Sequence, residues 1–328
     1  MIRFGVLGAA KITKEALIVP CAAEPGAEIR VIAARDRARA EAQAGEADIP
    51  IVVESYADVV AHPECDSIYV PLPISHHHDW ALEALRAGKH VLCEKAMASN
   101  AREAEEMAAV ANEQGRVLME AFHYRYHPVF ARAKEIAGSG VLGTIREIRA
   151  EFSLPFSFPE DDIRMRYETG GGVTMDIGTY PISWVRHLLE EEPDEITAVA
   201  VAGPPDIDLA LSAKMSFPSG VVAETCGDMT GEKPGFVAEI EVRGEDGRLL
   251  VQNPLAPQHG HSIELTVDGA TTTETCDQRP TYSYQLDAFI AAVDKGEVPE
   301  TDAADAVKQA RVIDRCYEAA GMRPRGEH

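Results

Sequence analysis

Two stretches carry side chains whose types and spacing suit chemistry. The first, Gly88-Lys89-His90-Val91-Leu92-Cys93-Glu94-Lys95, reads as a buried strand of Val91, Leu92 and Cys93 that ends in a charged pair. In an open α/β sheet, ligands bind just outside the carboxyl ends of the strands, so a lysine there is poorly placed for packing and well placed for a reacting group. The second is Gly170-Gly171-Gly172-Val173-Thr174-Met175-Asp176-Ile177-Gly178-Thr179-Tyr180. Its glycines allow a close backbone approach, and Asp176 and Tyr180, four apart, share one face of the helical run Val173 to Leu189. Pro181 removes a backbone hydrogen bond inside that run and predicts a kink there. A surface ion pair and a local Asp–Tyr hydrogen bond would use the same residues, so neither stretch decides alone.

Groups of this kind need a frame, and the first 122 residues supply one. Arg3 to Leu7 is an apolar strand that runs into Gly8-Ala9-Ala10-Lys11-Ile12-Thr13. This is a dinucleotide fingerprint with only its first glycine kept; Ala10 and Thr13 hold the second and third places. Gly8 permits the tight turn, and the small residues after it let a pyrophosphate approach the start of a helix. An ordinary strand-to-helix turn would look similar. The next strand, Glu28 to Ala34, ends in Arg35-Asp36-Arg37, with Arg39 beyond. Ala34 stands where an acid would hold a ribose 2′-hydroxyl, and Arg35 and Arg39 suit a 2′-phosphate, which favours NADP and leaves NAD open. Asp36 in a shifted register, or arginines that merely face solvent, are the rival readings. Strand and helix then keep alternating: helix Ser55 to Val60, strand Ser67 to Val70, helix Trp80 to Ala87, helix Ala101 to Gln114, strand Arg116 to Glu120. That rhythm predicts a doubly wound parallel sheet. The triplet His76-His77-His78 follows Pro71-Leu72-Pro73 in a turn, where neighbouring side chains point apart, so loop histidines near a cofactor are favoured over a metal site.

After Glu120 the character changes. A helix over about 128–138 precedes strands at Thr144 to Phe152, Glu195 to Val201, Leu209 to Phe217, Val221 to Cys226, Glu239 to Gly244, Arg248 to Val251 and Ser262 to Val267. Period-two patterns such as Ile145-Arg146-Glu147-Ile148-Arg149-Ala150-Glu151-Phe152 predict a mostly antiparallel sheet with one covered face. Two helices close the chain, Tyr284 to Lys295 and Thr301 to Ala320. The fold class is therefore α/β: a Rossmann domain over 1–122 and an α+β domain over 123–328 for substrate binding and oligomerisation. An exposed sheet face wants a partner, which predicts a homodimer or homotetramer through it.

Composition narrows the partners. The 328 residues carry a formal net charge of −23, which repels nucleic acid and anionic membranes and disfavours a highly charged anionic substrate. Six scattered cysteines form no CxxC, so zinc and redox motifs lack support and reduced thiols in a cytoplasmic protein are the simplest expectation. Met1-Ile2-Arg3-Phe4-Gly5 enters a strand directly, without a signal-peptide pattern, and no run approaches the ~20 apolar residues of a membrane span.

Taken together, five motifs resemble the glucose–fructose oxidoreductase / inositol dehydrogenase / rhizopine-catabolism (Gfo/Idh/MocA) family nearly end to end. They are Gly5-Val6-Leu7-Gly8-Ala9-Ala10-Lys11-Ile12; Pro71-Leu72-Pro73 with His77; Gly88 to Lys95; Glu120-Ala121-Phe122-His123-Tyr124-Arg125-Tyr126-His127-Pro128; and Gly171-Gly172 through Tyr180. The resemblance is greatest to its dihydrodiol dehydrogenase and NADP-dependent aldose dehydrogenase branch. It implies that Lys95 sits by the nicotinamide and bonds the reacting hydroxyl, that Tyr180 is the acid/base, and that Asp176 binds substrate. A lysine cation beside a phenol favours the phenolate, against an ordinary pKa of about 10. The phenolate can then take the hydroxyl proton as hydride leaves carbon. The resemblance also implies cofactor contacts from Gly8, Ala9, Ala10, Lys11, Ile12, Arg35, Arg39, Pro71, Leu72, Pro73, His76, His77, Glu94, Lys95 and Arg125. Substrate contacts would come from Lys95, Tyr124, Arg164, Asp176 and Tyr180, and no metal is implied. Ala96 replaces a proline that is usually cis in the family, which leaves that peptide open, and Ile74 stands where asparagine is common. The implied activity is NADP-dependent oxidation of a secondary or anomeric hydroxyl on a neutral sugar, cyclic polyol or vicinal diol. The rivals are a cofactor-binding sugar sensor without turnover and a nicotinamide-assisted glycoside hydrolase. Specificity is expected in Phe156 to Glu168 and around Pro254 to His261.

Overall fold

Short, fully buried apolar runs between alanine-rich helices can satisfy their backbone groups only by pairing with each other, and in the first third of the chain they do so in parallel. The computed structural model describes residues 1–326. The chain divides into two compact units, Met1–His123 with Tyr282–Val307, and Tyr124–Thr281 with the described part of Lys308–His328. Residues 282–307 thus group with the first stretch, not with the domain expected to follow residue 122. Two observations explain it. The Phe289 ring lies 5.3 Å from that of Phe4 in the first strand. Thr301 accepts from the backbone of Glu120 at 2.9 Å and returns a bond through its hydroxyl at 2.7 Å.

The first unit's strands are β1 (Ile2–Leu7), β2 (Ala27–Ala33), β3 (Ile51–Val52), β4 (Ser67–Val70), β5 (His90–Cys93) and β6 (Leu118–Glu120). They form one parallel sheet in the order β3-β2-β1-β4-β5-β6. This is the doubly wound order, and its reversal between β1 and β4 opens a crevice at the carboxyl edge. At β6 the sheet does not end bare, because Met119 makes an antiparallel bridge to Asp302. Asp302 also caps the helix Ala303–Ala319, accepting from the Asp305 amide at 2.8 Å, so the helix expected from Thr301 begins at Ala303.

The second unit is built on an eight-stranded sheet: β7 (Ile145–Ser153), β8 (Glu195–Ala202), β9 (Asp208–Ser216), β10 (Val222–Asp228), β11 (Val237–Gly244), β12 (Gly247–Gln252), β13 (Ser262–Val267) and β14 (Ala270–Glu274). Their order is β14-β13-β12-β11-β7-β10-β9-β8, with only β7 and β10 parallel. The period-two reading holds along β7, where Ile148, Ala150 and Phe152 are buried while Arg149 is exposed on the other face. The buried face carries the helix Thr179–Leu189, which is almost wholly buried, its polar residues included. The turn that leads into it, Thr174–Gly178, is a π-helical turn. The kink expected at Pro181 therefore lies upstream of the proline. In a regular helix its ring would strike the carbonyl of Ile177, and the widened turn removes that clash.

Candidate active site

The first unit brings its share of the predicted residues to the carboxyl edge of the parallel sheet. Gly8 ends β1 at φ +100°, a conformation that side-chain-bearing residues avoid, and a Cβ there would lie 3.2 Å from the Leu72 side chain. Its amide donates to Ala33 at 2.7 Å, closing the turn onto β2. Ala9 and Ala10 follow, half-buried, and their carbonyls accept from Arg39 at 2.7 Å and from Gln43 at 3.3 Å. Arg39 thus leans against the turn, while Arg35 lies exposed beside it. The Asp36 carboxylate is turned away to cap the helix Arg37–Glu46, accepting from the Ala38 amide at 3.0 Å. Lys11 and Ile12 are exposed on the same turn.

β4 and β5 deliver the next group. Glu94 is buried at the end of β5 and accepts from the Tyr69 hydroxyl at 2.7 Å. Burial and the Glu94 charge hold the Tyr69 phenol well above its ordinary value, so it stays a donor. Lys95 follows, half-exposed, and the Lys95–Ala96 peptide is cis. Glu120, at the end of β6, accepts from the Met97 amide at 2.8 Å. The three histidines point three ways. His76 is exposed, and His78 lies between Asp79 and Glu106 at 2.9 and 3.1 Å. His77 is fully buried, with Nδ1 2.9 Å from the Ala96 carbonyl and Nε2 2.8 Å from the Leu72 carbonyl. It ties the Pro71-Leu72-Pro73 turn to the peptide after Lys95. Burial pushes its pKa down to about 4 although both carbonyls favour the charged ring, so it is neutral near pH 7.

The second unit gathers the rest around the widened helix start. Asp176, half-buried, accepts from Arg164 Nε at 2.7 Å. Arg164 also bonds Asp162 at 3.1 Å, and its guanidinium lies 4.6 Å from the centre of the Phe158 ring. Tyr180 packs its ring against Phe152, Tyr124 and Trp184, at centroid distances of 5.8, 6.0 and 6.3 Å. Tyr124, expected at the substrate, is fully buried and donates its hydroxyl to Ser183 at 2.7 Å. Its place is behind the Tyr180 ring. Arg125 is buried as well, 5.9 Å from the centre of the Phe130 ring.

Sequence reasoning missed Tyr69, Glu120 and Ser183, which bond Glu94, the Met97 amide and the Tyr124 hydroxyl. Tyr69 and Glu120 sit inside short buried strands, where a lone polar group among apolar neighbours was the available signal.

Known proteins resemble this chain along most of its length. Residues 2–122 match the model of the GFO/IDH/MocA oxidoreductase family with its NAD-binding Rossmann fold, and residues 130–250 match the GFO/IDH/MocA C-terminal domain. D-xylose 1-dehydrogenase (NADP(+)) 2 of Haloferax volcanii is 34% identical over 97% of both chains. Trans-1,2-dihydrobenzene-1,2-diol dehydrogenase of mouse is 31% identical over 82% of this chain and 78% of its own. A 3-ketoreductase from Actinomadura kijaniata, solved with NADP and TDP-benzene, superposes with a TM-score of 0.88 at 31% identity, covering 95% of this chain and 96% of its own. The chain belongs to the GFO/IDH/MocA oxidoreductase family.

Proposed function

We propose that this protein transfers hydride between NADP and a secondary or anomeric hydroxyl of a neutral sugar, cyclic polyol or vicinal diol. The observation that carries the reading is the pairing of Asp176 with Arg164 on the turn that leads to Tyr180. It presents a carboxylate and a guanidinium to hydroxyl groups one helical turn from a phenol. The relatives above are named as dehydrogenases or a reductase, none of them a sensor or a glycosidase, which supports turnover over those alternatives.

The Gly8 turn suits a dinucleotide. Its positive φ disfavours any side chain and a Cβ would press on the Leu72 methyl group, while the alanines after it keep the approach open. Ala9, Ala10, Lys11 and Ile12 would line the pyrophosphate, and Arg35 and Arg39 the 2′-phosphate. Pro71, Leu72 and Pro73, with Glu94, would flank the nicotinamide, braced by His77. The nicotinamide, when bound, supplies the hydride acceptor or donor. In this reading Lys95 bonds the reacting oxygen and Tyr180 takes its proton in the oxidative direction, returning it in reduction. Asp176 and Arg164 orient the neighbouring hydroxyls, and Arg125 and Tyr124 hold the floor beneath them. In this reading the first unit, residues 1–123 with 282–307, binds the nucleotide, and the second carries substrate recognition.

The family sheet with its exposed face, where Val199 and Val201 are 72% and 53% exposed, supports a homodimer or homotetramer formed through it. All six cysteines are free thiols, which suits the cytoplasm. No helix among the described residues is long and apolar enough to cross a membrane.

The test is nicotinamide absorbance with NADP⁺ or NAD⁺ and a panel of aldoses, inositols and cyclic diols, with Lys95→Ala alongside. Reduction of NADP⁺ that the substitution abolishes supports the reading. Tight cofactor binding with no reduction by any panel member would turn it toward a sensor or a hydrolase with recycled cofactor.

A further inference from the structure

The last described residues of the chain fold back onto the loop that leads to Asp176. Arg325 is fully buried, and so is its partner Asp208 on β9, with Nη2 2.6 Å from Oδ1. The guanidinium spends its other donors on backbone, Nε to the Gly171 carbonyl at 2.6 Å and Nη1 to the Arg323 carbonyl at 3.0 Å. The Asp208 carboxylate is fully engaged too. Oδ1 also accepts from the Tyr317 hydroxyl at 3.0 Å, and Oδ2 accepts from the Thr174 amide and hydroxyl at 2.9 and 2.5 Å. Gly172 sits between the two charges at φ +113°, and a Cβ there would overlap both the carboxylate and the guanidinium. The neighbouring tail residues hold the same loop from outside. Arg323 stacks 4.3 Å over the Tyr167 ring, and the Tyr167 hydroxyl donates to the Pro324 carbonyl at 2.5 Å.

What the tail grips is the loop that carries Arg164. The Gly171 and Gly172 amides donate to the carbonyls of Arg166 and Arg164 at 2.9 and 2.8 Å, so residues 164–172 form one closed clip. A hold on Gly171 is therefore a hold on Arg164, and a hold on Thr174 fixes the first residue of the widened turn that carries Asp176. A merely structural ion pair could sit anywhere in the core. This one bonds the chain at Gly171 and Thr174, within the segment that joins Arg164 to Asp176.

We propose that Arg325, acting with Asp208 and Tyr167, is a positioning residue for substrate recognition: the C-terminal tail sets the register of the Arg164–Asp176 pair. The inference rests on the oxidoreductase reading above for what that pair binds. It places the determinant of sugar or diol affinity 149 positions beyond Asp176 in the sequence (325 − 176). Lysine in place of Arg325 would keep the charge against Asp208 but could not also reach the Gly171 and Arg323 carbonyls, because an ammonium lacks the guanidinium fork.

The experiment uses the full chain with Arg325→Lys, Arg325→Met, Tyr167→Phe and Arg323→Ala. The expected result is a rise of roughly tenfold in KM for the sugar or diol in Arg325→Lys and Tyr167→Phe, the size of a lost bond involving a charged or buried donor, with KM for NADP⁺ and kcat nearly unchanged. Arg325→Met should be worse than Arg325→Lys. If it does not fold, Tyr167→Phe and Arg323→Ala, which leave the buried pair intact, carry the test. Hydrogen exchange gives a readout independent of turnover: peptides covering 164–176 should exchange faster in these variants, and peptides covering 90–100 should not. Unchanged sugar KM with a lower melting temperature, or exchange that rises everywhere alike, would overturn the proposal and leave the pair a structural one. Wild-type protein that reduces NADP⁺ with no panel member would defeat the oxidoreductase reading instead, and the exchange pattern would still decide whether the tail holds the loop.

Discussion

His77 offers a prediction whose sign the structure determines. Its ring lies between two carbonyl oxygens, at 2.9 and 2.8 Å, yet a neutral imidazole has one N–H to donate. Two outcomes compete. Burial disfavours the imidazolium, and the paired carbonyls favour it. Burial wins here and takes the pKa from 6.5 down to about 4. Between those values the unfolded chain binds a proton that the folded chain refuses, so stability falls as pH falls, and the loss levels off below the folded value. From about pH 7 to about pH 5 this ring alone should remove about 2 kcal/mol of stability. The comparison that isolates it is urea unfolding of the wild type and His77→Gln across that range, followed by the fluorescence of Trp80 on the same helix. Carboxylates titrate alike in both proteins and cancel in the difference. The advantage of the wild type over His77→Gln should therefore shrink by about 2 kcal/mol on acidification. A difference that stays constant would mean that the ring does not titrate differently on folding. A difference that grows would mean that the carbonyls hold an imidazolium, and the reasoning from burial would be refuted.

Other expectations follow from the same geometry. Tyr180→Phe should lower kcat by about 10²–10⁴ while cofactor binding persists, as expected for loss of a general acid/base, and stopped-flow hydride transfer would show it. Gly8→Val should abolish tight NADP binding, measured by quenching of protein fluorescence, because a branched side chain at φ +100° is strained and meets Leu72. Replacing Arg39 with Asp should weaken NADP relative to NAD by roughly tenfold or more, the worth of a charge-assisted bond; an unchanged preference would remove Arg39 from the 2′-phosphate. Salt should raise the melting temperature, since a formal charge of −23 repels itself and screening relieves it; a melting temperature independent of salt would show that the acidic groups are already paired.

Much of the frame was legible because its signals are local. Ser67–Val70, Ala101–Gln114, Pro128–Gly138 and Ser262–Val267 fall where periodicity and flanking turn residues placed them. β3 escaped because two residues carry no period, and β14, Ala270–Glu274, because a polar edge strand rich in threonine reads like a loop. The helix start at His77 was hidden by the short turn Ile74–His76 that precedes it. At the site, Lys95, Asp176 and Tyr180 were legible as residue types at suggestive places, whereas their supports were not. Asp208 and Arg325 are 117 positions apart, and nothing in either neighbourhood marks a pair. The packing of the Tyr124 ring against Trp184 and Tyr180 was not legible either, because those residues stand more than fifty positions away in the sequence. The π-helical turn at Thr174–Gly178 has no sequence signal beyond Pro181, three residues past its end.

The bridge between Met119 and Asp302 bears on how such a protein can be cut and recombined. Residues 1–122 look like a free-standing module, and a gene fragment ending there would be the obvious piece to express or to graft. That fragment would leave β6 with an unpaired edge, the Thr301 bonds to Glu120 broken and Phe4 without the ring of Phe289. A bare edge strand of Leu118, Met119 and Glu120 is a template for aggregation. The nucleotide half is thus a discontinuous module, closed by a segment translated after the whole of 124–281. Chimeras should exchange 1–123 together with 282–307, and on the ribosome this half reaches its final edge only after residues 124–281 have emerged.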